Sequence, residues 1–324
     1  MSTNYQVVKE RWTADEERVH YIYAGKCFKD LKTHPVHPVN LEGWECSRTS
    51  FDTGLEAIKP FLAEVPYGGH RDIPGRHKHY YEAFVYVVSG KGTIELWKEE
   101  GSQRYRFPYH EGSVLSPPLN WHHDHFPDKG SFIRYLAIIN VPLMGRLIGR
   151  DQARGFDLTT GHPLRNYARS IPYDPEKVVI EKRGDDFPAT YKGVWVEDLG
   201  SLPLSPWPER GGLGIGLELS ANTTIGAHVV ELPPGTTRKP HRHYYESFLY
   251  ILSGAGYTRV WSEKTAEERY EWGAGDLIAI PVNTWHEHGH RSGKEPARYL
   301  EMNSRPIMEK MMDTGFVFKD SIGG

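Results

Sequence analysis

The stretch HKHYYEAFVYVVSGKG at residues 77–92 recurs as HRHYYESFLYILSGAG at residues 241–256. Ten of the sixteen positions are identical, and each copy opens with a His-x-His pair. A further histidine cluster follows each pair, WHHDH from Trp121 and WHEHGH from Trp285. Because alternate residues of a strand share one face, each His-x-His pair presents two imidazoles to the same side. The repeat therefore predicts a duplicated β protein that binds metal.

The composition narrows the classes of partner and compartment. A length of 324 residues suits two domains, and the formal charge of −3 comes without a basic run, so neither nucleic acid nor an anionic membrane is an expected partner. The start, MSTNYQVVKERW, lacks the apolar core of a signal peptide, and no apolar run is long enough to span a bilayer. We expect a cytoplasmic protein whose two cysteines, Cys27 and Cys46, are reduced.

The pattern along the chain predicts four regions. A capping box at residues 13–16 indicates a helix, so residues 1–43 are expected to form an N-terminal helical arm. Short strands separated by Gly and Pro turns follow in residues 44–156 and again in residues 191–324, the second set ending in a helix. Residues 157–190, rich in Pro, Gly and charge, are predicted to connect the two β domains.

The motifs resemble those of the cupin superfamily, specifically the bicupins, over residues 60–142 and 226–306. The resemblance implies an all-β fold of two tandem jelly-roll (double-stranded β-helix) domains with short flanking helices, and a homo-oligomer. In the second copy the matching residues are Gly235, His241, His243, Gly275, Pro281 and His286, with Asn283 where the family usually has glycine. The first copy matches at Gly112, Pro118 and His123, with Asn120 at the same family position.

By this resemblance, each domain is predicted to hold a metal ion through three histidines. The predicted ligands are His77, His79 and His123 in the first domain and His241, His243 and His286 in the second. His122 competes with His123, but aligning the glycines and prolines of the two copies favours His123. His125 and His288 are predicted to be pocket groups or residues at the pocket mouth.

The acidic residue of the motif is displaced in both copies. Glu82 and Glu246 come three positions after the second histidine rather than four or five, and the four-position slot holds Ala83 or Ser247. Strand alternation directs Glu82 away from the interior, whereas a β-bulge would turn it inward. Three roles remain open for the two glutamates: a fourth metal ligand, a partner of an imidazole N–H, or an outward ion pair.

Two further pairs are candidates for catalysis or substrate binding. Tyr81 and Tyr245 are expected to point inward, as general acid/base groups or as pocket wall. Arg134 and Arg298 lie on a late strand and are candidates for a bidentate clamp on a substrate carboxylate, with a surface ion pair as the alternative.

The ligand set indicates the chemistry. Three neutral imidazoles suit iron, copper, nickel or zinc and leave the 2+ charge uncompensated, which favours an anionic, chelating substrate. A three-histidine site with Ala in the acidic slot resembles the gentisate- and salicylate-type ring-cleaving dioxygenases, and this resemblance implies Fe(II), O₂ and an aromatic acid. We therefore predict a non-haem Fe(II) dioxygenase acting on a small anionic substrate.

Two other classes remain open from the sequence. A carboxylate fourth ligand would suit a manganese or iron centre of the oxalate-decarboxylase type. A cupin decarboxylase, isomerase or lyase using Mn, Zn or Fe without O₂ chemistry is therefore the first alternative. The second alternative is a non-catalytic cupin that binds a small molecule.

Overall fold

The computed structural model describes residues 5–11, 17–41, 44–68, 78–149, 167–182, 187–291, 293–312 and 320–321. It is an all-β protein with short helices, as the sequence predicts. The chain forms two compact units. Unit 1 contains Met1–Gly25, Lys32–Glu176 and Val194–Asp198, and unit 2 contains Lys26–Leu31, Lys177–Gly193 and Leu199–Gly324.

Strands are numbered along the whole chain. Those of unit 1 are β1 (Tyr5–Arg11), β2 (Glu17–Ala24), β4 (His37–Leu41), β5 (Trp44–Asp52), β6 (Lys59–Pro66), β7 (Ala83–Trp97), β8 (Arg104–His110), β9 (Val114–Leu115), β10 (His122–Pro127), β11 (Phe132–Ile139) and β14 (Trp195–Val196). Their sheet has the order β1-β2-β5-β6-β11-β7-β9-β14, with β4 added to β5 and with β8 and β10 added to β7.

Unit 2 has two sheets. Its strands are β3 (Cys27–Phe28), β12 (Val179–Lys182), β13 (Ala189–Gly193), β15 (Ser205–Pro206), β16 (Leu213–Leu219), β17 (Gly226–Leu232), β18 (His241–Arg242), β19 (Ser247–Ser253), β20 (Ala255–Ser262), β21 (Thr265–Gly273), β22 (Leu277–Ile280), β23 (Trp285–His290), β24 (Ala297–Asn303) and β25 (Asp320–Ser321). One sheet has the order β12-β13-β16-β17-β24-β19-β22-β3, with β15 on β16, and the other has the order β21-β20-β23-β18-β25.

In the described residues of each unit, an eight-residue helix follows the last long strand. These are α1 (Val141–Ile148) in unit 1 and α2 (Arg305–Met312) in unit 2. Pro142 lies in the first turn of α1, where its missing N–H leaves no helical hydrogen bond unmade. Among the described residues, none of the helices combines the length and the apolar character needed to cross a bilayer.

The prediction of a helical N-terminal arm is wrong over residues 17–24, which form β2. The aromatic and β-branched residues of this stretch favour an extended chain. β2 pairs antiparallel with β1 and parallel with β5, and these ladders outweigh the local helix signal. The predicted capping box, at residues 13–16, lies outside the described residues. The predicted connector also contains sheet, since β12 and β13 fall at its end.

Alternating residues of the strands build an apolar core in each unit. In unit 1, β11 contributes Ile133, Tyr135 and Ala137 to one cluster, which also holds Val85 and Phe61. In unit 2, the cluster includes Val230, Leu249, Ile251, Ile278 and Tyr299. Each fully buried aliphatic or aromatic side chain contributes about 1.5–3 kcal/mol to stability. The two cores provide the rigid walls against which the histidines are placed.

Candidate metal centre

Three buried histidines converge in unit 2. His241 on β18 pairs with His286 on β23, and His243 follows directly after β18. One ligating atom from each of the three lies within 4.8 Å of the others. Within the part of the chain that the structure describes, these three histidines form the group of side chains whose geometry could hold a metal ion. The group contains no carboxylate.

The backbone sets the tautomer of all three rings. Their Nδ1 atoms lie at hydrogen-bonding distance from carbonyl oxygens: His241 to Lys239 at 3.1 Å, His243 to Tyr245 at 2.8 Å and His286 to Thr284 at 2.8 Å. A carbonyl oxygen only accepts, so each Nδ1 must carry the proton and donate. The lone pair of each ring is therefore on Nε2, the atom left to bind a metal.

The environment keeps these rings neutral. Burial, and secondly the nearby His286, lower the pKa of His243 to about 3, and burial lowers the pKa of His286 to about 4. Burial is also the main reason why the pKa of His241 lies well below its usual value. The Nε2 atom of His243 is buried and has no hydrogen-bond partner among the described residues. Such an orphaned lone pair is costly unless it is satisfied, so these three residues fit a divalent metal.

A left-handed asparagine ties the ligand strands together in both units. Asn283 has φ of +53°, and its N–H donates to the carbonyl of His243 at 2.8 Å. Asn120 has φ of +60° and makes the same bond to the carbonyl of His79 at 3.0 Å. Asparagine adopts this conformation more readily than other non-glycine residues, which explains how it replaces the motif glycine.

Two of the three predicted ligands of unit 1 are arranged in the same way as their counterparts in unit 2. The rings of His79 and His123 lie 4.8 Å apart at 80°, close to the 4.7 Å and 69° between His243 and His286. The Nδ1 atoms of His79 and His123 again face carbonyls, of Tyr81 at 2.7 Å and of Trp121 at 3.2 Å. The third predicted ligand, His77, lies outside the described residues.

The structure separates His123 from its competitor. His122 stacks on Trp97 with 5.3 Å between ring centroids and 6° between ring planes, whereas His123 is buried beside His79. The two residues are adjacent on β10 and therefore face opposite sides of the strand.

Neither motif glutamate belongs to the group of converging ligand atoms found in the described residues. Glu82 is buried, and its Oε1 accepts a hydrogen bond from Nη2 of Arg169 at 2.7 Å. Glu246 is outside the group of converging ligand atoms in unit 2. The neighbouring Ala83 belongs to the core of unit 1 and takes the inward position, as strand alternation predicts. The structure therefore does not support the fourth-ligand role for either glutamate.

The two tyrosines lie on the histidines. Tyr81 stacks on His79 and Tyr245 on His243, each with 3.7 Å between ring centroids. Burial raises the pKa of Tyr245, so its phenol stays protonated at neutral pH. Both tyrosines are therefore brought to the candidate centres, as walls in contact with a histidine.

The arginines predicted to clamp a carboxylate are engaged elsewhere. Nε of Arg134 donates to Glu64 at 2.8 Å, and Nη2 of Arg298 donates to Glu231 at 2.8 Å. Each arginine precedes an inward tyrosine on its strand, so it faces outward. The prediction of a clamp by Arg134 and Arg298 is therefore corrected to a pair of structural ion pairs.

A different pair of arginines faces the centre of unit 2. Arg238 is 4% exposed, its Nη1 donates to the hydroxyl of Tyr299 at 2.6 Å, and its Nε donates to the carbonyl of Arg210 at 3.1 Å. Both guanidinium groups lie over the ring of Trp207, at 5.3 and 5.7 Å. Burial has the largest effect on the pKa of His286, and the charges of Arg238 and Arg210 lower it further. Sequence reasoning missed them because both come from loops, and Arg238 occupies a position between Gly235 and His241 at which the motif specifies no residue type.

His288 adds a buried imidazole beside the centre. The indole N–H of Trp272 donates to Oγ1 of Thr258 at 3.0 Å, and Oγ1 lies 2.9 Å from Nδ1 of His288. The hydroxyl can donate to Nδ1 or accept from it, so this contact is compatible with either tautomer of His288. Nε2 of His288 is buried without a partner among the described residues, and the ring lies 5.4 Å from that of His286.

A buried contact between a histidine and a glutamate lies further along the same strands of unit 2. Nε2 of His228 lies 3.2 Å from Oε2 of Glu301, and both residues are buried. A signal for Glu301 was present in the sequence, because it comes two residues after Tyr299 and therefore shares its face.

With this geometry established, two comparisons concern the fold. The Cupin domain family matches residues 228–303, which include His241, His243 and His286. Structures of oxalate decarboxylase from Bacillus subtilis superimpose with TM-scores of 0.54 and 0.53, at 14% and 15% identity, over 87% of this chain and 78% and 77% of theirs. The chain has the two-domain cupin fold. At this level of identity, the likeness to the solved structures concerns the fold alone.

Two curated relatives of this chain are dioxygenases by name. Gentisate 1,2-dioxygenase from Ralstonia sp. is 38% identical over 100 residues, which are 30% of this chain and 26% of that protein. 5-Aminosalicylate 1,2-dioxygenase from Comamonas sp. is 21% identical over 268 residues, or 72% of this chain and 63% of that protein. The chain thus spans about a quarter of the first relative and less than two thirds of the second.

Proposed function

We propose that unit 2 of this protein is the catalytic centre of a non-haem Fe(II) dioxygenase that opens the ring of a small anionic aromatic acid. The observation that carries the proposal is the convergence of three buried, neutral imidazoles, with no carboxylate in the group. The names of the two curated relatives support the reaction class. The three ligands would be His241, His243 and His286.

The ligand set favours an anionic substrate. Three neutral nitrogen ligands leave the charge of a divalent ion uncompensated and leave coordination positions open. Bound there, Fe(II) would supply Lewis acidity and the electron transfer that lets O₂ react with a singlet organic substrate. Nickel, copper, zinc and manganese can occupy the same donor set, and metal analysis decides among them.

One buried cationic side chain would orient the substrate carboxylate. Arg238 is held in place by the hydroxyl of Tyr299 and by the carbonyl of Arg210, so its guanidinium is ordered before a ligand arrives. An arginine in a buried site binds a carboxylate with charge-assisted hydrogen bonds of fixed geometry. In the tautomer that carries its proton on Nε2, His288 would donate a further bond to the same anion or to the ring oxygen next to it.

The interior of unit 2 would exclude water from the reacting atoms. Tyr245 and Tyr299 are both buried, Tyr245 stacks on His243, and the ring of Tyr299 lies 5.5 Å from that of His288. A dry, apolar wall strengthens the electrostatic interactions of the arginines with the substrate. It also keeps bulk water from reactive species formed during ring opening.

The test combines metal analysis with oxygen uptake. The purified protein is analysed for transition metals and then mixed with salicylate, gentisate or 5-aminosalicylate in an oxygen electrode. We expect iron, and uptake of one O₂ per molecule of substrate consumed. The variant His243→Ala should lose one equivalent of metal per chain and all uptake, whereas His110→Ala, a half-buried histidine of unit 1, should retain both.

Three outcomes would overturn the proposal. The first is a wild-type protein without transition metal, and the second is an unchanged metal content in His243→Ala. The third is release of CO₂ from a carboxylic acid such as oxalate in the absence of O₂, with no oxygen uptake on any aromatic acid. That result would instead assign the decarboxylase class, the alternative from the sequence.

A further inference from the structure

The inner face of unit 2 is built in layers by β17 and β24. Across this antiparallel pair Gly226 lies opposite Asn303, His228 opposite Glu301, and Val230 opposite Tyr299. Since Val230 and Tyr299 belong to the apolar core, the residues two positions away on each strand share the same inward face. The pair formed by His228 and Glu301 is therefore a charged layer within the jelly roll.

The equivalent layer of unit 1 is apolar. Tyr135 corresponds to Tyr299, and two positions further along β11 lies Ala137, which faces Phe61 on β6. Val85 on β7 also pairs with Ala137, and all three belong to the core of unit 1. The fold therefore accommodates an apolar layer here without difficulty. Burying a carboxylate instead carries a desolvation penalty, so its presence in unit 2 calls for a functional explanation.

The charged layer borders both the histidine group and a cavity. Glu301 raises the pKa values of His243 and His286, although burial has the larger and opposite effect on each. A cavity of about 280 Å³ is lined by Gly226, Asn303 and Phe187, one layer beyond the His228–Glu301 pair. The Phe187 ring lies 5.2 Å from that of His228. On the other side of the pair, the ring of Tyr299 lies 5.5 Å from that of His288, and its hydroxyl accepts a hydrogen bond from Arg238. Glu301 is therefore one layer away from side chains of the candidate centre.

Glu301 is ionised and has acceptor capacity to spare. Burial alone would raise the pKa of Glu301, but the contact with His228 holds it well below the usual value. A carboxylate can accept about four hydrogen bonds. Nearby, Oγ of Ser247 is buried without a hydrogen-bond partner among the described residues. Since Ser247 pairs with Asn303 on β24, its hydroxyl lies one layer away from Glu301.

We propose that Glu301, oriented by His228, is the specificity residue that accepts a hydrogen bond from a hydroxyl or amino substituent of the substrate. This inference rests on the proposed function and names the substrate class. The ring would carry a carboxylate directed to Arg238 and a second, hydrogen-bond-donating substituent directed to Glu301. An aromatic acid without such a substituent would leave the buried carboxylate unsatisfied and would bind more weakly.

The test measures binding without turnover. Calorimetric titration of the metal-loaded protein under anaerobic conditions compares salicylate with gentisate and 5-aminosalicylate, which add a hydroxyl or an amine to the same ring. We expect the wild type to prefer the substituted acids by about 10- to 100-fold, the range of a hydrogen bond to a charged group. Glu301→Gln should reduce that preference to below about threefold while leaving the affinity for salicylate within about twofold.

Two further variants keep the test interpretable. The double variant His228→Phe with Glu301→Ala reproduces the apolar layer of unit 1 and leaves no unpaired charge in the interior. It should also lose the preference for gentisate and 5-aminosalicylate over salicylate. Glu231→Gln is the matched control, because Glu231 lies on the outer face of the same strand β17 and binds Arg298. It should retain the full preference.

The outcomes separate this inference from the proposed function. If Glu301→Gln keeps the full preference for gentisate and 5-aminosalicylate, the specificity role of Glu301 is wrong while the dioxygenase proposal stands. If a wild type that binds metal prefers neither substituted acid, the inference is also wrong. If none of the three acids binds the wild type, the proposed function itself fails.

Discussion

The phenol ring of Tyr245 lies flat against the imidazole of His243, with 3.7 Å between centroids and 4° between the ring planes. The carbonyl of the same tyrosine accepts the Nδ1 proton of that histidine at 2.8 Å. One residue therefore fixes both the plane and the tautomer of the histidine. Tyr81 and His79 repeat the arrangement in unit 1, at 3.7 Å and 3°.

The stack predicts that the ring of Tyr245 matters more than its hydroxyl. Tyr245→Phe should keep the metal content of the wild type and at least about a third of its turnover, because the stacking surface is retained and burial keeps the phenol protonated. Tyr245→Ala should lose stability by about 3–5 kcal/mol and bind metal more weakly. Metal analysis, turnover and urea unfolding are the measurements. A loss of turnover of about 100-fold in Tyr245→Phe with metal intact would restore the acid/base role.

The metal-free protein is expected to lose stability as the pH falls from 7 to 5. The folded pKa of His243 is about 3 and that of His286 about 4, below the value of about 6.5 in an unfolded chain. Below pH 6.5 the unfolded chain takes up protons that the folded chain refuses. Each of these histidines then removes about 1.4 kcal/mol of stability per pH unit, down to its folded pKa.

Thermal unfolding of the chelator-treated protein at several pH values measures this slope. The variant His243→Leu should show a shallower decline because one neutral buried imidazole is absent. An unfolding temperature that stays constant between pH 7 and pH 5 would contradict the prediction.

The left-handed turn at Asn283 predicts an ordering of substitutions. Asn283→Gly should change the free energy of unfolding by less than about 1 kcal/mol, because glycine adopts positive φ without strain. Asn283→Val should cost about 1–3 kcal/mol, because a β-branched residue is strained at φ of +53°. All three residues keep the backbone N–H that donates to His243, so the comparison isolates conformation. Equal urea midpoints for the Gly and Val variants would show that the turn is not strained.

The two pairs of arginines are expected to respond differently. Arg238→Gln should raise KM for an aromatic acid by about tenfold or more with metal content unchanged, since a buried charge-assisted bond to the carboxylate is lost. Arg298→Gln should leave KM unchanged and lower stability by about 1 kcal/mol or more, since its partners are Glu231 and backbone carbonyls. Steady-state kinetics distinguishes the two variants, and a reversed order of effects would contradict the assignment.

The motifs were sufficient to predict the repeat, the jelly rolls and the histidine positions that meet in unit 2, because strand alternation turns sequence spacing directly into a shared face. They could not identify Arg210 and Arg238. These come from loops, where no periodicity relates sequence position to direction. The prediction of a helical N-terminal arm was wrong because a capping signal reports only on neighbouring residues. The pairing of β2 with β1 and β5 depends on residues that are more distant in sequence.

Each unit is built from segments that are not continuous in sequence. β3, from residues near the start, pairs with β22 of unit 2, and the N–H of Leu31 donates to the carbonyl of Gly275 at 2.8 Å. In turn, β14 pairs with β9 of unit 1. No single peptide bond can therefore be cut to give two self-sufficient halves. A fragment that begins after residue 198 would lack β3 and expose the edge of β22, so a gene split at this point should yield an insoluble C-terminal product.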